Sequence, residues 1–475
     1  MLFFKNYIFF SSPIFIKTVI GLFIQIPLIT FFLKPDEIGI YALYSGLLFV
    51  LVPLSDLGIN TNLQSNFSKS RFQENKIFFF NLLIFSFFLT IFWTLVLLVI
   101  FFFYNKYFYF NSENLIYIGV ILVTYFFSFP SSLFKNLSIL KKEAKEVAIV
   151  DISKNILSTL ILFLFFQLLN NKLLSLFLSL LITNFYSLII EIIFLRKYLK
   201  LIIKFKYLKY ILKLGLNFFN FNVIGMGTFF VERLIVVSFF GEYILGIYYL
   251  ARNFINYLVV FIKATVQVYS PNLLKITDIN KNLIIFKNYV RLNEIILFIL
   301  FNFGLILILF LKEFLSVITH DKFIEVYDLV SVGYLMLFNV VFLSFITCSI
   351  IPNKEFSLLK YSANSTQIFF LFIAFIYSYF FINKSIYYIL IFLVLSNYFV
   401  SLTRYIFSGM RKFFSKLFLK FIFYSFFYIL ALLIYENTLL SFNTKLIIVF
   451  LISVILIIYF WFIKKEFFNI LQKIS

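Results

Sequence analysis

A chain of 475 residues, of which 63% are hydrophobic and only 13% charged, against roughly 25% charged in a soluble domain, has too little polar surface to face water. With a mean hydropathy of +1.04 it reads as an all-α integral membrane protein, because helices satisfy their backbone polar groups internally in lipid. The formal charge of +21 needs a topological account before any nucleic acid is invoked, and no nucleic-acid partner is expected.

About 20 apolar residues cross roughly 30 Å of hydrocarbon as a helix. In chain order such windows fall at about 13–33, 39–58, 77–103, 115–140, 147–169, 173–195 and 214–240. Seven more follow at 245–267, 292–317, 331–351, 360–382, 385–407, 418–434 and 445–463, giving about 14 transmembrane helices. The first is no cleavable signal, since Pro27, Lys34 and Pro35 follow it without a small-x-small cleavage site. The 76 phenylalanines fit the codon usage of an AT-rich genome and point to no stacking ligand.

Orientation follows from where the cations lie. With the N-terminus inside, 28 of the 41 Lys and Arg residues fall in inner segments and seven in outer loops, which predicts that both termini are cytoplasmic. One inner segment, residues 196–213 (RKYLKLIIKFKYLKYILK), carries seven cations and no acid. As a helix it would have a basic and an apolar face and lie flat in the interface. It is either an ordinary positive-inside anchor or a hinge between halves that also grips lipid phosphates. Anionic lipids are therefore expected partners.

The run Lys34-Pro35-Asp36-Glu37-Ile38-Gly39-Ile40-Tyr41-Ala42-Leu43 returns in altered form as Glu242-Tyr243-Ile244-Leu245-Gly246-Ile247-Tyr248-Tyr249-Leu250. Each copy is an acidic turn that closes one span and opens the next with Gly-Ile-Tyr. Paired halves are the usual architecture of a secondary transporter. The expected domains are 1–210, a six-helix bundle with the basic connector at its end, 211–407, a second pseudo-symmetric six-helix bundle, and 408–475, two extra C-terminal helices. Gly39 and Gly246 are expected to serve close backbone approach or a positive φ.

Soluble catalytic machinery is missing. No Gly-x-x-x-x-Gly-Lys-Ser/Thr loop is present to hold a nucleotide. His320 and Cys348 are the sole residues of their kinds, so no His/Cys metal set, no disulfide and no cofactor are expected. The Gly225-Met226-Gly227 pair fits close helix approach. A polymerase or glycosyltransferase would need acids in a large outer loop; the longest outer stretch, about 312–330, holds Glu313, Asp321, Glu325 and Asp328 but is short. The protein is not expected to be an enzyme.

Charges inside spans are costly and tend to face a cavity or a partner. The candidates are Lys17, Lys135, Asp151, Lys154, Glu232, Arg233, Arg252 and Lys263. Lys17, Lys135 and Lys263 lie near inner ends, where long side chains can snorkel. Asp151 and Lys154 share a helix face, as a local ion pair or with an exposed cavity cation. Arg233 and Arg252 flank the 241–244 turn at similar depth, and arginine pairs bidentately with phosphate oxygens. Deep acids come down to Asp151 and Glu232.

The segment KPDEIGIYALYSGLLFVLVPLSDLGINTNL, residues 34–63, resembles the first turn and second helix of O-antigen (Wzx-type) polysaccharide flippases of the multidrug, oligosaccharidyl-lipid and polysaccharide exporter superfamily. The matching positions are Pro35, Glu37, Gly39, Tyr41 and Asp56-Leu57-Gly58; Glu232-Arg233 and Leu245-Gly246-Ile247-Tyr248 are similar to that family's seventh helix and turn. Glu232 stands where Asp is the family's usual residue. The resemblance implies two six-helix bundles around a central cavity and transfer of an undecaprenyl-pyrophosphate-linked oligosaccharide, an O-antigen, lipopolysaccharide or capsule repeat unit, to the outer leaflet of the cytoplasmic membrane. It further implies the polysaccharide polymerase and chain-length machinery as partners. On that reading Lys17, Lys154, Arg233 and Arg252 line an inward-open cavity, and residues 1–210 rock against the remainder. A drug/cation antiporter of the same superfamily and a polytopic polymerase or glycosyltransferase are the alternatives.

Overall fold

The computed structural model describes residues 12–13, 15–56, 76–108, 112–141, 143–273, 283–319, 322–323, 325–350, 356–380, 385–407, 411–437 and 444–459. Among them every regular element is a helix. Ten helices are long and apolar enough to cross a membrane, and three shorter ones, Leu115–Phe127, Thr366–Phe380 and Thr444–Tyr459, are apolar. The two chain ends, Gly58, His320 and Asp321 lie outside the described residues, as do the side chains of Asp56, Met226, Lys263 and Cys348.

By their contacts the residues form two compact units, Phe31–Gly246 and a second made of Met1–Thr30 with Ile247–Ser475. This division by contact cuts the chain at other points than the halves read from sequence.

The Phe31–Gly246 unit holds α2 (Pro35–Asp56), α3 (Lys76–Phe108), α4 (Ser112–Phe127), α5 (Ser131–Leu140), α6 (Ala144–Leu168), α7 (Lys172–Leu195) and the first limb of α8 (Phe205–Leu273). α2 starts by an ordinary helix-capping arrangement: Pro35 opens it, Asp36 and Glu37 lie in its first turn, and Lys34 N donates to Glu37 Oε2 at 2.8 Å. Phe78, Phe79, Leu82, Phe129, Leu133, Phe134 and Leu137 form one buried core, and Leu51, Ile118, Leu122 and Tyr125 a second.

Two expectations are corrected in this unit. The 115–140 span is not continuous, because a turn at 128–130 separates α4 from α5; Pro130 has no N–H to continue the ladder, and Ser128 N closes on Tyr125 O at 3.0 Å. The 196–213 connector is not one amphipathic helix. A single turn at Arg196–Tyr198 gives way to residues 199–204 without regular structure, and helix resumes at Phe205. The buried Asn81 competes for this backbone, donating to Ile202 O at 2.8 Å and accepting from Lys204 N at 2.8 Å.

The second unit contains α1 (Phe15–Phe32, less its last residues), the second limb of α8, α9 (Leu283–Thr319), α10 (Val326–Gly333), α11 (Leu335–Ile350), α12 (Phe356–Phe380), α13 (Ile386–Phe407), α14 (Arg411–Asn437) and α15 (Thr444–Tyr459). The α10–α11 span is its centre: 83% of that window is buried, against 22–44% for the other long spans. Tyr334 and Tyr428 stack there at 5.2 Å, with Tyr334 Oη donating to Leu300 O and Tyr428 Oη to Ser331 O. A Cβ at Gly304 would press on both rings. The two C-terminal helices are tied to α9 by Lys420–Glu294 at 2.6 Å and Lys445–Glu313 at 2.5 Å.

Candidate functional site

The densest polar arrangement within the Phe31–Gly246 unit lies where α5, α6 and α7 pack. On α7, Ser175, Ser179, Thr183, Ser187 and Glu191 recur every fourth residue and are all buried, so they form one stripe along the helix. Small side chains let another helix approach closely in a membrane. Lys154 on α6 reaches this stripe, donating to Asn184 Oδ1 at 3.1 Å and to Ser187 Oγ at 3.3 Å. One turn further along α7, Glu191 accepts from Ser131 Oγ of α5 at 2.7 Å.

Asp151 and Lys154, three residues apart, do not pair with each other. Asp151 meets Lys135 of α5 at 3.6 Å, and Lys154 has the two neutral acceptors just named. Below them Lys197 bridges Glu143 at 2.9 Å and Glu146. The polar file therefore mixes both signs, with Lys154, Lys135 and Lys197 set among Glu191, Asp151, Glu143 and Glu146.

The reading of deep acids is corrected here: Glu191, 4% exposed, and Glu294 in the other unit are buried as well as Glu232. Sequence reasoning missed Asn184, Ser187, Glu191 and Ser131. The four-residue polar period of α7 was the signal that could have found Ser187 and Glu191; no such pattern marks Asn184 or Ser131.

Arg233 is also held within the Phe31–Gly246 unit. Its guanidinium lies over the Phe49 ring at 4.9 Å, donates to Ala42 O and has Ser45 Oγ at 3.5 Å. Ala42, Ser45, Gly46 and Phe49 share one face of α2, and a Cβ at Gly46 would sit 3.0 Å from Arg233 Nη1. Arg252 belongs to the other unit, where its Nη1 donates to Met336 Sδ at 2.9 Å. Lys17 lies on α1 with an exposed side chain.

The two motif turns meet in the Phe31–Gly246 unit. A Cβ built on Gly39 would overlap Glu242 O, and one on Gly246 would overlap Pro35 O. Just before the second turn Gly241 takes φ 85°, a left-handed conformation that suits glycine, and it breaks α8 into its two limbs. Tyr41 packs edge-on against Phe177 at 5.1 Å, and Tyr248 is buried in its own unit.

A family model described as polysaccharide biosynthesis protein matches residues 28–328, well over half the chain. The chain belongs to that family. No curated protein matches it. Among solved structures it is similar to a MOP superfamily transporter from Pyrococcus furiosus, with a TM-score of 0.62 at 14% identity over 86% of this chain and 95% of that one. A MATE structure in complex with MaL6 has a TM-score of 0.63 at 13% identity, covering 86% and 96%. An outward-facing multidrug resistance MATE transporter of the MOP superfamily has a TM-score of 0.61 at 15% identity, covering 86% and 95%. Helical throughout its described regular elements, the protein is thus a multi-pass membrane protein with the fold of MOP superfamily transporters.

Proposed function

We propose that the protein is a transporter and not an enzyme: a flippase that moves an undecaprenyl-pyrophosphate-linked oligosaccharide from the inner to the outer leaflet of the bacterial cytoplasmic membrane. The observation that carries this reading is the match to a polysaccharide biosynthesis family on a transporter fold. The MATE neighbours include inward-facing and outward-facing conformations, which supports an alternating-access cycle. Both termini are cytoplasmic on this reading, as the cation distribution argues.

Lys154 is the cation best suited to a pyrophosphate. Its two hydrogen-bond acceptors are neutral amide and hydroxyl groups that orient the ammonium, while the Glu191 and Asp151 carboxylates lie near enough to act on its charge. Arg233, Arg252 and Lys17 add positive charge on the same reading. Substrate binding shifts the inward–outward equilibrium only through different affinity for the two states.

A drug/cation antiporter is the second reading. It is supported by the MATE neighbours and by buried Glu191, since such exporters are expected to place carboxylates deep in the bundles. Deletion of the gene separates the two. The flippase reading expects lipid-linked oligosaccharide to accumulate and surface O-antigen or capsule to disappear, with drug susceptibility unchanged. Altered drug susceptibility with intact surface polysaccharide would favour the antiporter.

A further inference from the structure

A helix long and apolar enough to cross a membrane ends at Tyr198 and helix resumes at Phe205, so residues 199–204 follow directly on the end of a candidate span. Their backbone is held in place. Besides the two bonds to Asn81, Lys200 N donates to Lys76 O at 3.1 Å. Upstream, Lys197 is committed to Glu143 and Glu146, and the Tyr198 hydroxyl to Glu143.

Leu199 and Tyr207 pack against the core, whereas the side chains between and beside them are exposed. Leu201 is 80% exposed, Ile203 55% and Phe205 84%, and Lys200, Lys204, Lys206 and Lys209 are exposed among them. No acidic residue stands between Arg196 and Lys213. Three bulky apolar side chains held into water would be costly, and an acidic soluble partner would satisfy the lysines alone. A surface that is apolar below and anionic above satisfies both sets.

We infer that residues 200–209 form a preorganised anchor for an anionic bilayer surface, with Leu201, Ile203 and Phe205 seated beneath the headgroups and the four lysines at lipid phosphates. Fixing the backbone beforehand removes ordering cost from the binding. Each lysine near such a surface adds to its attraction.

The test uses the full chain carrying Trp93→Phe and Trp461→Phe, which removes both native tryptophans, with Phe205→Trp as the probe. The protein is reconstituted in phosphatidylcholine/phosphatidylglycerol vesicles in which one or the other lipid carries brominated acyl chains, at equal mole fraction. Brominated phosphatidylglycerol is expected to quench roughly twofold more than brominated phosphatidylcholine, and high salt is expected to remove that preference while quenching itself persists. Lys200→Gln, Lys204→Gln, Lys206→Gln and Lys209→Gln together should remove the preference in the same way. The salt series on the unsubstituted lysines stands by itself if that variant does not fold. Absence of quenching would mean the segment faces protein or water and overturns the proposal. Equal quenching by both lipids, or a preference indifferent to salt, overturns its anionic selectivity.

Discussion

Gly39 and Gly246 stand in a reciprocal relationship: each faces the carbonyl oxygen of the residue four positions before the other, Glu242 for Gly39 and Pro35 for Gly246. The Gly246 position also lies 3.1 Å from Gly39 N when a Cβ is built on it. Two copies of one turn pack against each other by the same surface, which is how a two-fold interface works between subunits. The contact is backbone to backbone, so neither side has a flexible atom to give way.

Gly39→Ala and Gly246→Ala are therefore each expected to destabilise the contact by about 1–3 kcal/mol, the usual cost of overpacking, and to impair export alike. Gly119→Leu is expected to be tolerated, because nothing lies within 4 Å of its Cβ position. Surface polysaccharide at matched protein level reads the difference; equal tolerance at all three would make the repeat a trace of ancestry only.

The repeat was legible in sequence because Gly-Ile-Tyr and its acidic lead-in recur, and apolar windows located the helices because lipid demands their length. What escaped were features that depend on neighbours. Pro130 marked a break that hydropathy averages over. The backbone of 199–204 is set by Asn81, more than a hundred residues away, so no local pattern announces it. Lys154 was visible as a charge in a span, but its partners Asn184 and Ser187 lie on α7, where Ser187 belongs to a four-residue polar period that an apolar window conceals.

Lys154→Gln keeps a donor for Asn184 and Ser187 and removes the charge. It is expected to abolish export at normal abundance, as measured by surface polysaccharide beside an immunoblot. Full export by this variant would remove Lys154 from the substrate site.

Arg233 contributes to packing as well as charge, since its guanidinium covers Phe49 and meets Ala42 O and the Gly46 face. Arg233→Ala is expected to lower both abundance and export. Arg252→Ala, which removes a guanidinium that donates to the Met336 thioether, is expected to lower export, with abundance followed by immunoblot.

Glu294 is buried and pairs with half-exposed Lys420 at 2.6 Å. Lys420→Ala should leave the carboxylate without that cation and lower stability by about 1–2 kcal/mol, less than for a fully buried pair. Adding Glu294→Gln should recover much of the loss in a thermal unfolding series in detergent. Two additive losses would show that the pair does not couple.

The most direct measurement is translocation itself, in proteoliposomes holding the purified protein and an undecaprenyl-pyrophosphate-linked oligosaccharide whose exposed fraction is followed with an added glycosidase. The account predicts that the protected pool becomes accessible far faster than in protein-free liposomes, and that Lys154→Gln returns the rate to the protein-free value. A wild-type rate equal to that of protein-free liposomes would contradict it.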